Sequence, residues 1–176
     1  MKIKDLTLCA LFAALMAVCA WITIPMPGVP FTMQTFALFL TLAILGGMRG
    51  SIVCVVYLLL GAVGLPVFSG FRGGMGVLLD TTGGYIIGFV AAALVYWLVT
   101  ARLGESLPVS AAACVLGLAV CYAFGTAWFL VLYARTTGPI GVTTALSWCV
   151  LPYIVPDLLK LALAVVLSGR IKKFLK

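Results

Sequence analysis

From Leu6 to Met48 the chain carries no charged side chain. Four further stretches are equally bare: Gly50 to Phe71, Thr81 to Ala101, Ser106 to Ala134 and Thr136 to Pro156. A helix that crosses the hydrocarbon of a bilayer needs about 20 predominantly apolar residues. The five stretches hold six such helices, because the first is long enough for two. Charged residues fill only 9% of the 176 positions and hydrophobic ones 65%, whereas a water-soluble domain carries about 25% charged residues. A disordered chain is excluded and a soluble globule disfavoured. The expected fold is an all-α integral membrane protein, one domain over residues 1–176, with six transmembrane helices.

The spans are placed at 6–24, 34–48, 51–65, 83–101, 109–133 and 147–169. The first follows Lys2 and Lys4, as a signal peptide would, but a second span follows it closely, so it is read as retained. Three prolines in the connector PMPGVPFTMQ stop span one from continuing. The turn GGMRG joins spans two and three. A long glycine-rich connector, PVFSGFRGGMGVLLDTTGG, separates spans three and four.

Position says more than size about the net charge of +7. With the N-terminus in the cytoplasm, the inner side receives Lys2, Lys4, Arg49, Arg102, Arg170, Lys172, Lys173 and Lys176, and the outer side only Arg72 and Arg135. That is a strong positive-inside bias. It places both termini in the cytoplasm and both long connectors outside. The cations line membrane edges rather than one patch, so no nucleic-acid partner is expected; membrane lipid is.

Histidine is absent, which removes the commonest general base and the commonest nitrogen metal ligand. The six cysteines (Cys9, Cys19, Cys54, Cys114, Cys121, Cys149) lie in apolar segments with no C-x-x-C spacing and read as small buried hydrophobes. Cys114 and Cys121 share a helix face, but two cysteines without histidine make a poor zinc site. Serine–histidine catalysis is excluded, and one intramembrane aspartate cannot form an aspartyl dyad. No catalytic residue, metal or cofactor is expected, and an enzyme is the least favoured class. No G-x-x-x-x-G-K-[ST] occurs, so the chain does not bind ATP by a P-loop.

Against this background Asp157 and Lys160 stand out, within YIVPDLLKLALAVVL of the last span. Ionisable side chains at that depth cost about 2.5–3.5 kcal/mol each on insertion scales and mark functional sites. Their i, i+3 spacing sets both heads on one helix face. One reading is an ion pair that ties helix to helix; the other is a polar ligand site. Pro152 and Pro156 put the start of this helix near the outer surface, on the same side as the glycine-rich connector. That connector, with glycines at 64, 70, 73, 74, 76, 83 and 84, is either a ligand cap offering N–H donors or a surface loop. Phe68, Phe71 and Tyr85 favour an aromatic-walled pocket beneath it. Arg72 would meet either a ligand carboxylate or a lipid headgroup. Gln34 either contacts ligand or only opens span two. In span one, Ala10 and Ala14, and Ala13 and Ala17, form small-xxx-small pairs that suit close helix contact, within the subunit or with a partner.

The segments GAVGLPVFSGFRGGMGVLLDTTGGYIIGF, PDLLKLALA and PFTMQTF resemble the BioY family, the biotin-binding S components of energy-coupling-factor (ECF) transporters, over nearly the whole chain. Asp80-Thr81 stands where that family commonly has Gly-Pro before TGGY. The resemblance implies an S-component-like bundle in the plasma membrane of a prokaryote that captures biotin from outside. It matches Asp157 and Lys160 to the family's ligand-binding acid and lysine, and the ureido ring, with two N–H groups and one carbonyl, suits that pair. Gly70, Gly73, Gly74, Thr82, Gly83, Gly84 and Tyr85 fall in the family's loop and helix-four motif. The implied partners are a transmembrane coupling subunit, which the alanine face of span one would meet, and two cytoplasmic ATPases. The competing expectation is a stand-alone secondary carrier for a small organic anion; Asp157, the one acid well inside a span, is thin provision for a proton relay.

Overall fold

Backbone N–H and C=O groups in hydrocarbon find no water, so an apolar run satisfies them internally by coiling into a helix. A computed structural model of the chain describes residues 3–26 and 28–175 and follows this rule. Lys2 and Lys176, counted above as inner cations, and Pro27 of the first connector lie outside the described residues. The long helices are α1 (Ile3–Trp21), α2 (Gln34–Ala62), α4 (Gly83–Leu103), α5 (Leu107–Thr136) and α7 (Leu151–Leu175). Each reaches spanning length and hydropathy, α7 as one apolar run with the short α6 (Val142–Cys149) before it.

α2 supplies two spans rather than one. Its backbone leaves helical geometry at Gly46 (φ 79°, ψ 174°). In a straight helix residues 34 and 57 would lie about 34 Å apart, yet Gln34 Nε2 donates to the Tyr57 hydroxyl at 2.6 Å. The two halves therefore fold back on each other, with Gly50 against Leu42: a Cβ on Gly50 would sit 2.6 Å from Leu42 Cδ2. Only glycine takes the φ of position 46 readily. The expected turn between spans two and three is this reversal.

The hairpin made by α2 is the hub of the bundle. α1, α4 and α7 each pack along it, and α4 packs along the length of α5. Outward-facing side chains are apolar: Leu11, Leu98, Leu116 and Leu159 are all more than half exposed, which suits acyl chains and not water.

Three features depart from the span map. The first connector is not wholly irregular, because β1 (Thr23–Ile24) pairs antiparallel with β2 (Phe31–Thr32). The second connector contains a 3-10 turn at Ser69–Phe71 and the short α3 (Met75–Leu78). The last span is split: α6 ends at Cys149, the backbone breaks at Val150 and α7 begins at Leu151. Pro152 has no N–H to continue the ladder from α6 but fits the first turn of a new helix.

Candidate functional site

Asp157 and Lys160 stay on one face of α7 and are 3% and 7% exposed. Lys160 Nζ lies 2.8 Å from Asp157 Oδ1. Its other two protons go to the Thr32 carbonyl at 2.7 Å and the Thr35 hydroxyl at 3.1 Å. Thr35 donates in turn to Asp157 Oδ1 at 2.8 Å, and the Tyr122 hydroxyl donates to Oδ2 at 2.6 Å. The Phe31 ring sits 3.9 Å from Nζ, in cation–π range. β2, the first turn of α2, the middle of α5 and α7 thus converge on one charge pair. No buried side-chain nitrogen or oxygen among the described residues lacks a partner.

Such a closed network is what a buried ion pair requires. Removing one partner of a buried pair costs about 3–5 kcal/mol, because the remaining charge stays out of water uncompensated. The pair also borders a cavity whose walls are largely apolar. Ile86, Phe89, Leu118 and Tyr153 contribute to those walls. Small residues allow the packing around it: Tyr85 lies against Gly125, and its hydroxyl meets Thr126 Oγ1 at 2.9 Å. A ligand here would have one polar end at Asp157–Lys160 and an apolar body.

The connector over the cavity is held down at several points. Phe68 is fully buried, with its ring against Gly61, where any Cβ would collide with it. Ser69 Oγ lies 3.0 Å from Thr23 Oγ1, Trp21 Nε1 donates to the Pro66 carbonyl at 2.8 Å, and Trp128 Nε1 donates to the Asp80 carbonyl at 3.0 Å. It is a packed lid rather than a loose surface loop. Phe71 is not part of the pocket wall; it is 64% exposed and stacks on Trp21 with ring centroids 4.9 Å apart.

Of the residues singled out from sequence, Gln34, Phe68, Arg72, Thr82, Tyr85, Asp157 and Lys160 line the cavity. Gln34 is also committed to its own framework, donating to Tyr57 and accepting from Thr32 Oγ1 at 3.1 Å. Gly70, Gly73, Gly74, Gly83 and Gly84 do not line it. Gly73 and Gly83 press on the carbonyls of Leu65 and Leu78, Gly84 on the Trp128 side chain, and Gly70 and Gly74 take positive φ in the lid. They shape the lid and seat it on α4. Sequence reasoning missed Thr32, Thr35 and Tyr122. Single hydroxyls within apolar spans are common, so the sequence offered no signal for them beyond the neighbourhood of Thr35 to Gln34.

The alanine face of α1 needs a correction. Ala10 and Ala14 are exposed, but Ala13 and Ala17 are 3% and 6% exposed and belong to the subunit's own core. The two i, i+4 rows are neighbours, about 60° apart around the helix, and the edge of the core falls between them. Only Ala10 and Ala14 remain available to a partner.

Comparison with known proteins accords with this architecture. The model of the BioY family matches residues 1–176. The biotin transporter BioY of Thermotoga maritima is 40% identical over 170 residues, 97% of this chain and 96% of its own length. The probable biotin transporter BioY of Pyrococcus horikoshii is 40% identical over 172 residues, covering 98% of each. A solved structure, the S-component for biotin from an ECF-type ABC transporter, superposes with a TM-score of 0.85 at 26% identity, over 98% of this chain and 92% of that one. The chain belongs to the BioY family.

Proposed function

We infer that this chain is the membrane-embedded S-component of an ATP-driven ECF importer and that it captures biotin. The observation that carries the reading is the buried Asp157–Lys160 pair lining an apolar cavity, in a chain that matches biotin transporters over nearly its whole length. The protein acts in transport and not as an enzyme. ATP hydrolysis and the coupling motion come from partner subunits. The surplus of inner Lys and Arg supports cytoplasmic termini and a cavity that opens outward.

Recognition follows from the hydrogen-bonding capacity of the pair. A carboxylate offers about four lone-pair sites, and Lys160, Thr35 and Tyr122 occupy three on Asp157. One site on Oδ2 is open to a ureido N–H. Lys160 has all three protons engaged, so it meets the ureido carbonyl only by giving up one existing bond. The ligand therefore joins the network by exchange, its carbonyl taking the place of the bond that Lys160 releases. The rings and valerate chain lie along Tyr85, Phe89 and Phe68, and Arg72 at the mouth receives the carboxylate.

The test is calorimetric titration of biotin into the purified chain in detergent. One tight site is expected. Absence of binding would remove the assignment. Uptake by this chain alone in ion-gradient vesicles would instead make it a stand-alone carrier.

A further inference from the structure

Arg72 does not stand alone at the mouth of the cavity. Its Nη1 lies 3.7 Å from Asp80 Oδ2, and both side chains are about half exposed, at 48% and 47%. We propose that Asp80 is a counter-anion that neutralises Arg72 in the empty protein and yields it to the ligand's carboxylate, so that Asp80 sets how strongly the mouth attracts anions. The proposal rests on Arg72 as the carboxylate contact of the bound ligand.

The geometry points to exchange rather than a fixed bond. At 3.7 Å the ion pair is too long for a hydrogen bond. Among the described residues, the one hydrogen bond donated by the guanidinium comes from Nε, to the Ser69 carbonyl at 3.3 Å. Its terminal nitrogens keep the fork that binds a carboxylate with two parallel bonds. Asp80 is held independently of Arg72. Its Oδ1 accepts from the Thr81 amide at 2.7 Å and the Thr81 hydroxyl at 3.3 Å, while its carbonyl accepts from Trp128. Asp80 is absent from the cavity wall, whereas Arg72 lines it. The acid therefore sits behind the cation and stays in place when the cation turns to a ligand.

Two opposed effects follow from such an acid. It steadies the arginine over the mouth, and it repels an incoming carboxylate. The steadying is small, because an exposed ion pair contributes little and the Ser69 bond tethers the arginine anyway. The repulsion acts whenever a second anion is near. Without Asp80, an anionic ligand meets a net positive mouth instead of a neutral one. Competition therefore outweighs preorganisation. The consequence is selectivity. A small carboxylate with no grip on Asp157–Lys160 gains little at a neutralised arginine, whereas a ligand anchored at both ends displaces Asp80.

The test is titration of the purified chain with biotin, with biotin methyl ester and with pentanoate, in wild type and in Asp80→Asn and Arg72→Gln. Asparagine keeps the Oδ1 acceptor for Thr81, so the lid retains its local bonds. Asp80→Asn is expected to tighten biotin about three- to fivefold at low salt, to leave the ester unchanged, and to make pentanoate a measurable competitor. High salt should erase the gain. Unchanged or weaker biotin binding in Asp80→Asn, with Arg72→Gln still weakening biotin more than the ester, overturns the counter-anion alone. Equal losses for biotin and ester in Arg72→Gln overturn the carboxylate contact and the counter-anion with it.

Discussion

Replacing Lys160 by Met tests whether the buried pair binds ligand or only joins helices. Three hydrogen bonds disappear, at 2.7, 3.1 and 2.8 Å. Asp157 keeps Thr35 and Tyr122 as donors but loses its one cation at 3% exposure. One-sided loss of a buried pair costs about 3–5 kcal/mol. A ligand carbonyl also loses a charge-assisted bond of about 1.5–3 kcal/mol. At 1.4 kcal/mol per decade, that bond alone is about ten- to a hundredfold in Kd. The disturbed carboxylate adds to it, so the expected loss is a hundredfold or more. The second variant, Asp157→Leu/Lys160→Met, separates the two roles. With both charges replaced by apolar side chains the melting temperature should recover towards wild type, while biotin binding stays lost. Calorimetry and a thermal melt on the same samples read both. Binding within threefold of wild type in Lys160→Met, or in the double variant, would reduce the pair to a structural tie and refute the site.

Tyr122→Phe removes a 2.6 Å donor to Asp157 Oδ2 and keeps the ring that lines the cavity. Biotin affinity should fall about tenfold, the cost of one charge-assisted bond, and an unchanged Kd would show that Tyr122 does not position the acid. Gly61→Val drives a side chain into the space of the Phe68 ring; overpacking of about 1–3 kcal/mol should lower the melting temperature and speed biotin release, and a wild-type release rate would show that Phe68 does not hold the lid. Replacing Ala10 and Ala14 together by Trp enlarges the exposed alanine row of α1 without touching its buried one. Biotin binding should survive while ATP-dependent uptake in vesicles with all subunits is lost; loss of both would mean that the row packs this subunit's own core, and survival of both would move the docking surface to another helix.

The chain's order in the membrane was legible because burial in hydrocarbon is written in one dimension. A charge-free run of sufficient length becomes a span whatever its neighbours are, so the starts of α2, α4 and α5 fall within two residues of the spans read from sequence. Asp157 and Lys160 were legible for a related reason. Their cost is set by depth alone, and i, i+3 spacing on one helix fixes their relative position before any tertiary contact forms. The break at Val150 shows the limit of this reading, since the same apolar run supports either one helix or two and the backbone decides at Pro152.

What the pair meets lay beyond the sequence. Thr35 and Tyr122 are 122 and 35 positions from Asp157, and Thr32 is 128 from Lys160. Nothing local distinguishes them from other hydroxyls in apolar helices. The same is true of the alanines, where equal spacing gave two rows and packing buried one. Arg72 read as an outer cation in a glycine-rich loop until the lid brought Asp80 to 3.7 Å. The sequence by itself determined which segments enter the membrane and which helix face bears charge, because those depend on transfer from water and on helical repeat. The tertiary structure alone decided which partners satisfy that charge and which side chains line the cavity, because those depend on how six helices and a lid pack together.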